Sequence, residues 1–178
     1  MHSREILIGV TGGIAAYKTA ALVSKLVQGG AGVSVVMTHA AVKFVGPATF
    51  AALTGRPVAM DGFDPAFPLG AHIELARRSE LLCVAPASAD FLAKTASGAA
   101  DDLLSTLFLS FTGSVLFAPA MNREMWAKPA VRRNVAQLKS DGVQMIGPGE
   151  GWQSCRDVGA GRMAEPEEIL AAIDRALK

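Results

Sequence analysis

Five short, almost unbroken apolar runs constrain this chain more than any other feature: Ile6-Leu7-Ile8-Gly9-Val10, Val33-Ser34-Val35-Val36-Met37, Leu81-Leu82-Cys83-Val84-Ala85, Val115-Leu116-Phe117-Ala118 and Val143-Gln144-Met145-Ile146. A half-buried strand alternates apolar with polar residues, whereas a run that is apolar at nearly every position suits a strand covered on both faces, as in a parallel sheet between layers of helices. The intervening stretches fit that arrangement. Residues 14–28 read as a helix closed by Gly29-Gly30, two helical pieces follow over 39–45 and 47–53, and further helices are predicted over 89–97, 102–110 and 129–140. Residues 147–161 are rich in glycine and read as a loop. Pro166 then opens a terminal helix, with Glu165, Glu167 and Glu168 near its positive end. The expected fold is α/β and doubly wound, with helices on both faces of one parallel sheet and a ligand beyond the carboxyl ends of the strands.

The 178 residues suit a single domain, and 51% of them are hydrophobic against 19% charged. Such an apolar balance fits a sheet buried on both faces, an oligomer that hides further apolar surface, or both. Seventeen basic against sixteen acidic residues leave a net charge of +1, with no basic stripe to follow a nucleic-acid backbone, so nucleic acid is not an expected partner. No apolar segment is long enough to cross a membrane, and the start, Met1-His2-Ser3-Arg4-Glu5, lacks the pattern of a secretory leader. Cys83 lies within an apolar run and reads as a small buried hydrophobe, while Cys155 lies in the glycine-rich stretch; no disulfide framework is expected, and a cytoplasmic location fits. No metal-binding set is expected.

Chemistry concentrates where predicted strands end. After the first strand comes Val10-Thr11-Gly12-Gly13-Ile14-Ala15-Ala16-Tyr17-Lys18, where paired glycines let a backbone approach an anion at a helix N-terminus, or simply make a tight turn. Neither the three-glycine dinucleotide spacing nor the Lys-Ser/Thr of an ATP-binding loop is present. After the third strand comes Pro86-Ala87-Ser88-Ala89-Asp90, continuing to Ala100-Asp101-Asp102-Leu103-Leu104. After the fourth comes Ala118-Pro119-Ala120-Met121-Asn122-Arg123-Glu124-Met125-Trp126, and after the fifth Ser154-Cys155-Arg156-Asp157-Val158-Gly159-Ala160-Gly161-Arg162-Met163. Together with Gly12-Gly13-Ile14-Ala15-Ala16 and His72-Ile73-Glu74-Leu75-Ala76-Arg77, these segments resemble the homo-oligomeric flavin-containing cysteine decarboxylases, from about Glu5 to Pro166 and with every motif in order. The segment ending in Met125-Trp126 carries most of that specificity.

The resemblance implies a flavodoxin/Rossmann-like fold over residues 1–178, forming a single FMN-binding decarboxylase domain with no fused ligase domain. FMN would be held by Gly12, Gly13, Ile14, Thr38, Ser88, Ala89, Asp90, Phe91 and Ala120. His72 would be the catalytic base, since an imidazole can take a proton from a thiol near neutral pH. Asn122 would hold the substrate carboxylate, Cys155 would donate a proton in the final reduction, and Met125, Gln153, Ser154 and Arg156 would line the substrate site. Ordinary roles stand beside these: Ser88 and Asn122 as helix caps, His72 as a surface or capping histidine, Met125 and Trp126 as core or interface residues. His2 and His39 fall on no motif. Two positions depart from the family pattern, Asp90 where asparagine is usual and Arg156 where glycine is usual. The activity implied is decarboxylation of 4′-phosphopantothenoylcysteine to 4′-phosphopantetheine in coenzyme A biosynthesis, by way of a thioaldehyde, in a trimer or a dodecamer of four trimers. Oxidative decarboxylation of a peptide's C-terminal cysteine, and a flavin-binding regulatory role, are the other functions compatible with the pattern.

Overall fold

The computed structural model describes residues 3–178; His2 lies outside the described residues. Five parallel strands form the central sheet: β1 (Glu5–Val10), β2 (Gly32–Met37), β3 (Leu81–Ala87), β4 (Ser114–Pro119) and β5 (Gln144–Met145), in the order β2-β1-β3-β4-β5. All seven residues of β3 are buried, as a central strand in a covered parallel sheet requires. Odd and even positions serve opposite faces. Ile6, Ile8, Leu81, Cys83 and Ala85 pack with Leu22 and Leu26 of α1 (Ala16–Gln28), Phe50 of α2 (Pro47–Thr54) and Ile169 and Ile173 of α8 (Pro166–Ala176). Leu7, Leu82, Val84 and Phe117 face Leu75 of α3 (Ala71–Arg78), Phe91 of α4 (Ala89–Ser97), Leu107 of α5 (Leu103–Ser110) and Leu138 of α7 (Pro129–Ser140).

Helix ends follow local chemistry. Ser88 caps α4 through its Oγ, which accepts from the Phe91 N–H at 3.3 Å, and Gly98 closes it with φ +73°. Asp102 and Ser105 form a reciprocal capping box on α5, and Glu165 and Glu168 do the same on α8 behind Pro166.

Several expectations need correction. The first helix begins at Ala16 rather than residue 14, so Ile14 and Ala15 belong to the turn that leaves β1. The piece expected over 39–45 is a single 3₁₀ turn, Ala41–Lys43. The stretch 147–161 is not a plain loop: β6 (Gly149–Trp152) and β7 (Val158–Arg162) form an antiparallel hairpin. Its residues are mostly exposed and lack an alternating apolar pattern, so pairing depends on where the hairpin docks. That anchor is visible, since the Met121 N–H donates to the Gly161 carbonyl at 3.0 Å and β7 packs against α6 (Arg123–Ala127).

Candidate active site

Strand order reverses between β1 and β3, and a parallel sheet opens a crevice at that point because the two crossovers leave in opposite directions. Thr11, buried at the end of β1, ties the two strand ends together: its Oγ1 donates to the Pro86 carbonyl at 2.6 Å and accepts from the Ser88 N–H at 2.9 Å. The turns that follow, Gly12-Gly13-Ile14 and Ser88-Ala89, are thereby held side by side. Among the described residues, the amides of Gly12, Gly13 and Ile14 donate to no backbone acceptor, which leaves three donors in the turn before α1.

A cavity of about 600 Å³ opens over these turns. It brings together most of the residues singled out in the sequence: Gly12, Gly13, Ile14, Ser88, Ala89 and Ala120, with Asn122, Met125, Gln153, Ser154 and Cys155. Five others stand apart from it. Phe91 is buried in the core, its ring 5.4 Å from that of Phe117, so only its backbone reaches towards Ser88. Asp90 points its carboxylate outward, 3.6 Å from Lys94 Nζ. Thr38 accepts from the Ala41 N–H at 3.3 Å and shapes the 3₁₀ turn. Arg156 sits at the hairpin tip with φ +65°. His72 lies in the first turn of α3, half-buried and outside the cavity of its own chain. Because α3 leads straight into β3, its first turn faces the same edge of the sheet as the strand ends.

Asn122 does cap α6: its Oδ1 accepts from the Met125 N–H at 2.8 Å. That commits the side-chain oxygen and leaves the Nδ2 hydrogens for a ligand. Gln153, nearly fully buried, is the joint between the hairpin and this segment. Its Oε1 accepts from the Arg123 N–H at 3.1 Å, and its Nε2 donates to the carbonyls of Met121 and Ala160, both at 3.2 Å. The Cys155 thiol, exposed to the cavity, donates to the same Oε1 at 3.6 Å. Cys83, by contrast, is fully buried and pushed up to about 12 by desolvation, which leaves it an inert thiol.

Sequence reasoning passed over Thr11, Tyr17, Lys18, Trp152 and Arg162. Lys18 and Arg162 line the cavity, and both contact Glu165, whose carboxyl is held below its ordinary value first by the hydrogen bond from Lys18. A lysine five residues after a glycine pair, in the first turn of the helix that follows, was the available signal.

The remaining walls are largely apolar: Ile14, Ala15, Ala120, Met121, Met125, Trp152 and Met163. Amides without a backbone acceptor at a helix start, beside apolar walls, suit a flat ring bearing a phosphate, and the volume is within the roughly 300–1,000 Å³ usual for small-molecule sites.

Sheet order, crevice and lining define a doubly wound α/β protein with a mononucleotide-type site at its topological switch point. The chain belongs to the Flavoprotein family, which it matches across residues 1–178. It is similar to the coenzyme A biosynthesis bifunctional protein CoaBC of Vibrio cholerae, at 48% identity over 172 residues, covering 96% of this chain and 43% of that protein. Its fold is similar to that of the FMN-dependent cysteine decarboxylase SpaF, with a TM-score of 0.86, 34% identity, and 98% and 95% of the two chains covered. It is also similar to a PPC decarboxylase mutant in complex with pantothenoylaminoethenethiol, with a TM-score of 0.89, 28% identity and 98% of each chain covered. The chain spans less than half the length of the curated relatives it matches, 44% and 43% in two of them.

Proposed function

We propose that this chain decarboxylates 4′-phosphopantothenoylcysteine to 4′-phosphopantetheine with FMN as cofactor, residues 1–178 acting as one decarboxylase unit. The observation that carries this reading is the convergence of Cys155, Asn122 and the Gly12-Gly13-Ile14 turn on one cavity. Likeness to a CoaBC protein and to a PPC decarboxylase supports it.

The amides of Gly12, Gly13 and Ile14, the Ser88-Ala89 turn and Ala120, which line the cavity together, would hold FMN. FMN held there would supply a hydride acceptor for the carbon bearing the substrate thiol and the same hydride for the closing reduction, so no external reductant would be needed. Losing CO2 directly would leave a carbanion without delocalisation; a C=S group β to the carboxylate accepts the electron pair. Asn122 donates from Nδ2 to the substrate carboxylate. An amide holds that group in place without the ground-state stabilisation that a guanidinium would impose on the charge about to be lost. Cys155, presented by Gln153, protonates the ene-thiol carbon left by CO2 and recovers its proton from solvent. The apolar walls keep water from the reacting carbon. His72 takes the thiol proton, and because it lies outside its own chain's cavity it does so across a boundary between copies, in the proposed trimer or four-trimer dodecamer. Reduced cysteines suit a cytoplasmic setting; no described helix is long and apolar enough to cross a membrane.

The test is the product mass after incubation with 4′-phosphopantothenoylcysteine and no added reductant. Loss of CO2 alone supports the full cycle. Loss of CO2 with two hydrogens means that the reductive half is missing, as in a peptide-type oxidative decarboxylase. Unchanged substrate with FMN bound would sink the reading in favour of a peptide substrate or a regulatory protein.

A further inference from the structure

Among the residues that line the cavity, Lys18 and Arg162 carry the charge, and no lining residue is acidic. They reach the wall from different elements, Lys18 from the early turns of α1 and Arg162 from the end of β7. One carboxylate oxygen holds both: Glu165 Oε1 accepts from Lys18 Nζ at 2.9 Å and from Arg162 Nη2 at 2.5 Å. Glu165 is itself fixed, since it forms the capping box of α8, with its N–H donating to Glu168 Oε2 at 2.7 Å. Lys18 is the more sheltered of the two cations, its side chain 11% exposed against 42% for Arg162.

Two cations on one carboxylate leave one positive charge in excess, and each keeps donors free: an ammonium has three hydrogens and a guanidinium five, of which Glu165 takes one apiece. Such a pair, close together and facing a cavity, matches the several oxygens of a phosphate monoester better than a lone carboxylate. The amides of Gly12, Gly13 and Ile14, which have no backbone acceptor, already offer donors for one phosphate at the start of α1. Arg162 belongs instead to the hairpin that brings Cys155 to the cavity. We infer that Lys18 and Arg162, held together by Glu165, form the corner that recognises the substrate's 4′-phosphate and so set specificity for the phosphorylated substrate; this rests on the decarboxylase reading above. Arg156, outside the cavity, has no part in that contact.

The test compares FMN-loaded wild type with Lys18→Met, Arg162→Met and the charge-conserving Lys18→Arg. Calorimetry with 4′-phosphopantothenate and with pantothenate, two unreactive ligands that differ only in the phosphate, reads recognition apart from turnover. Each Met variant is expected to weaken 4′-phosphopantothenate binding by about tenfold or more, the usual loss for a charge-assisted hydrogen bond, while pantothenate changes by less than about twofold. Lys18→Arg should keep most of the affinity, and in turnover the Met variants should raise KM far more than they lower kcat. Lys18→Met leaves Glu165 paired with Arg162, and a melting curve for each variant confirms the fold.

Equal losses on both ligands, no loss on either, or a wild type that does not prefer the phosphorylated ligand would overturn the inference. So would Met variants that bind FMN no better than riboflavin while 4′-phosphopantothenate is unaffected, since the corner would then serve the cofactor's phosphate. A wild type inactive on 4′-phosphopantothenoylcysteine is a separate failure that strikes the decarboxylase reading; active wild type with indifferent variants strikes only this one.

Discussion

Arg156 holds a left-handed backbone, φ +65°, at the position where the resembled family carries glycine. The Arg156 N–H donates to the Gln153 carbonyl at 2.9 Å and the Gln153 N–H to the Asp157 carbonyl at 2.8 Å, the pattern of a three-residue hairpin tip whose last residue is left-handed. A side chain there clashes with its own carbonyl, which glycine avoids. Arg156→Gly is therefore expected to raise stability by about 0.5–1 kcal/mol, the conformational relief less the greater freedom of glycine when unfolded. A melting curve checks the stability, and the Michaelis constant for 4′-phosphopantothenoylcysteine should not change, because the side chain is outside the cavity; a marked rise would return Arg156 to the substrate site. Gly161 shows the opposite case. With φ +127°, and with Met121 O only 2.3 Å from where a Cβ would sit, it lets the hairpin lie against the Met121-Asn122 segment. Asp90 is a milder departure, since an exposed carboxylate beside Lys94 does not need the donors of an amide.

At the scale of elements, the edge of the sheet remote from the cavity is tied by charge. Arg56, just after α2, donates to both carboxylate oxygens of Glu5 on β1, at 2.6 and 2.8 Å, and to Ser34 Oγ on β2 at 3.2 Å. Arg78 at the end of α3 donates to the same Oγ at 2.7 Å. The Arg56 hydrogen bond holds the Glu5 carboxyl below its ordinary value of 4.5. A carboxylate depressed in the folded state stabilises the fold above its unfolded value, and that contribution is lost as pH falls through the folded one. Arg56→Met should then cost about 1–2 kcal/mol near neutral pH, a bidentate pair only partly sheltered from solvent. The difference from wild type should shrink as pH falls below 4.5, where Glu5 of the unfolded chain takes up a proton, and vanish once the folded carboxyl is protonated too. Urea denaturation of both proteins at about pH 7 and about pH 3 measures it; a gap independent of pH would mean that packing, and not charge, is what Arg56 contributes. Beside this cluster the edge strand β2 is partly covered by Ala59, which accepts from the Met37 N–H and donates to the Val35 carbonyl, both at 3.0 Å, limiting the backbone open to another chain.

For the whole molecule, the role proposed for His72 requires a second copy, because the cavity of its own chain does not include it. Ile14, Tyr17, Met125, Trp152 and Val158 are all more than 40% exposed, and four of the five line the cavity rim. Apolar side chains at the mouth of a site are costly to leave in water. The purified protein is expected to run at the mass of three or twelve chains in light scattering, and mixing inactive His72→Asn with inactive Cys155→Ser should restore part of the activity, because each contributes the intact group to a shared site. A monomeric active enzyme, or no restoration after subunits have exchanged, would leave His72 without a route to the substrate.

The apolar runs by themselves determined the sheet and its parallel sense, since burial on both faces is written residue by residue in β1 and β3, whereas the fifth run shortens to Gln144–Met145 at the end of the sheet, with Gln144 exposed. Local signals likewise predicted the helices of 89–97 and 129–140, and Pro166 the start of the last. What tertiary structure alone decided is long-range: the pairing of β6 with β7, which depends on Gly161 lying on Met121; the joint at Gln153, whose partners are up to 32 residues away; and the meeting of Lys18 with Glu165 across 147 positions. Periodicity and capping report what a residue does with its near neighbours, whereas a shared carboxylate between two cations exists only once the chain has closed on itself.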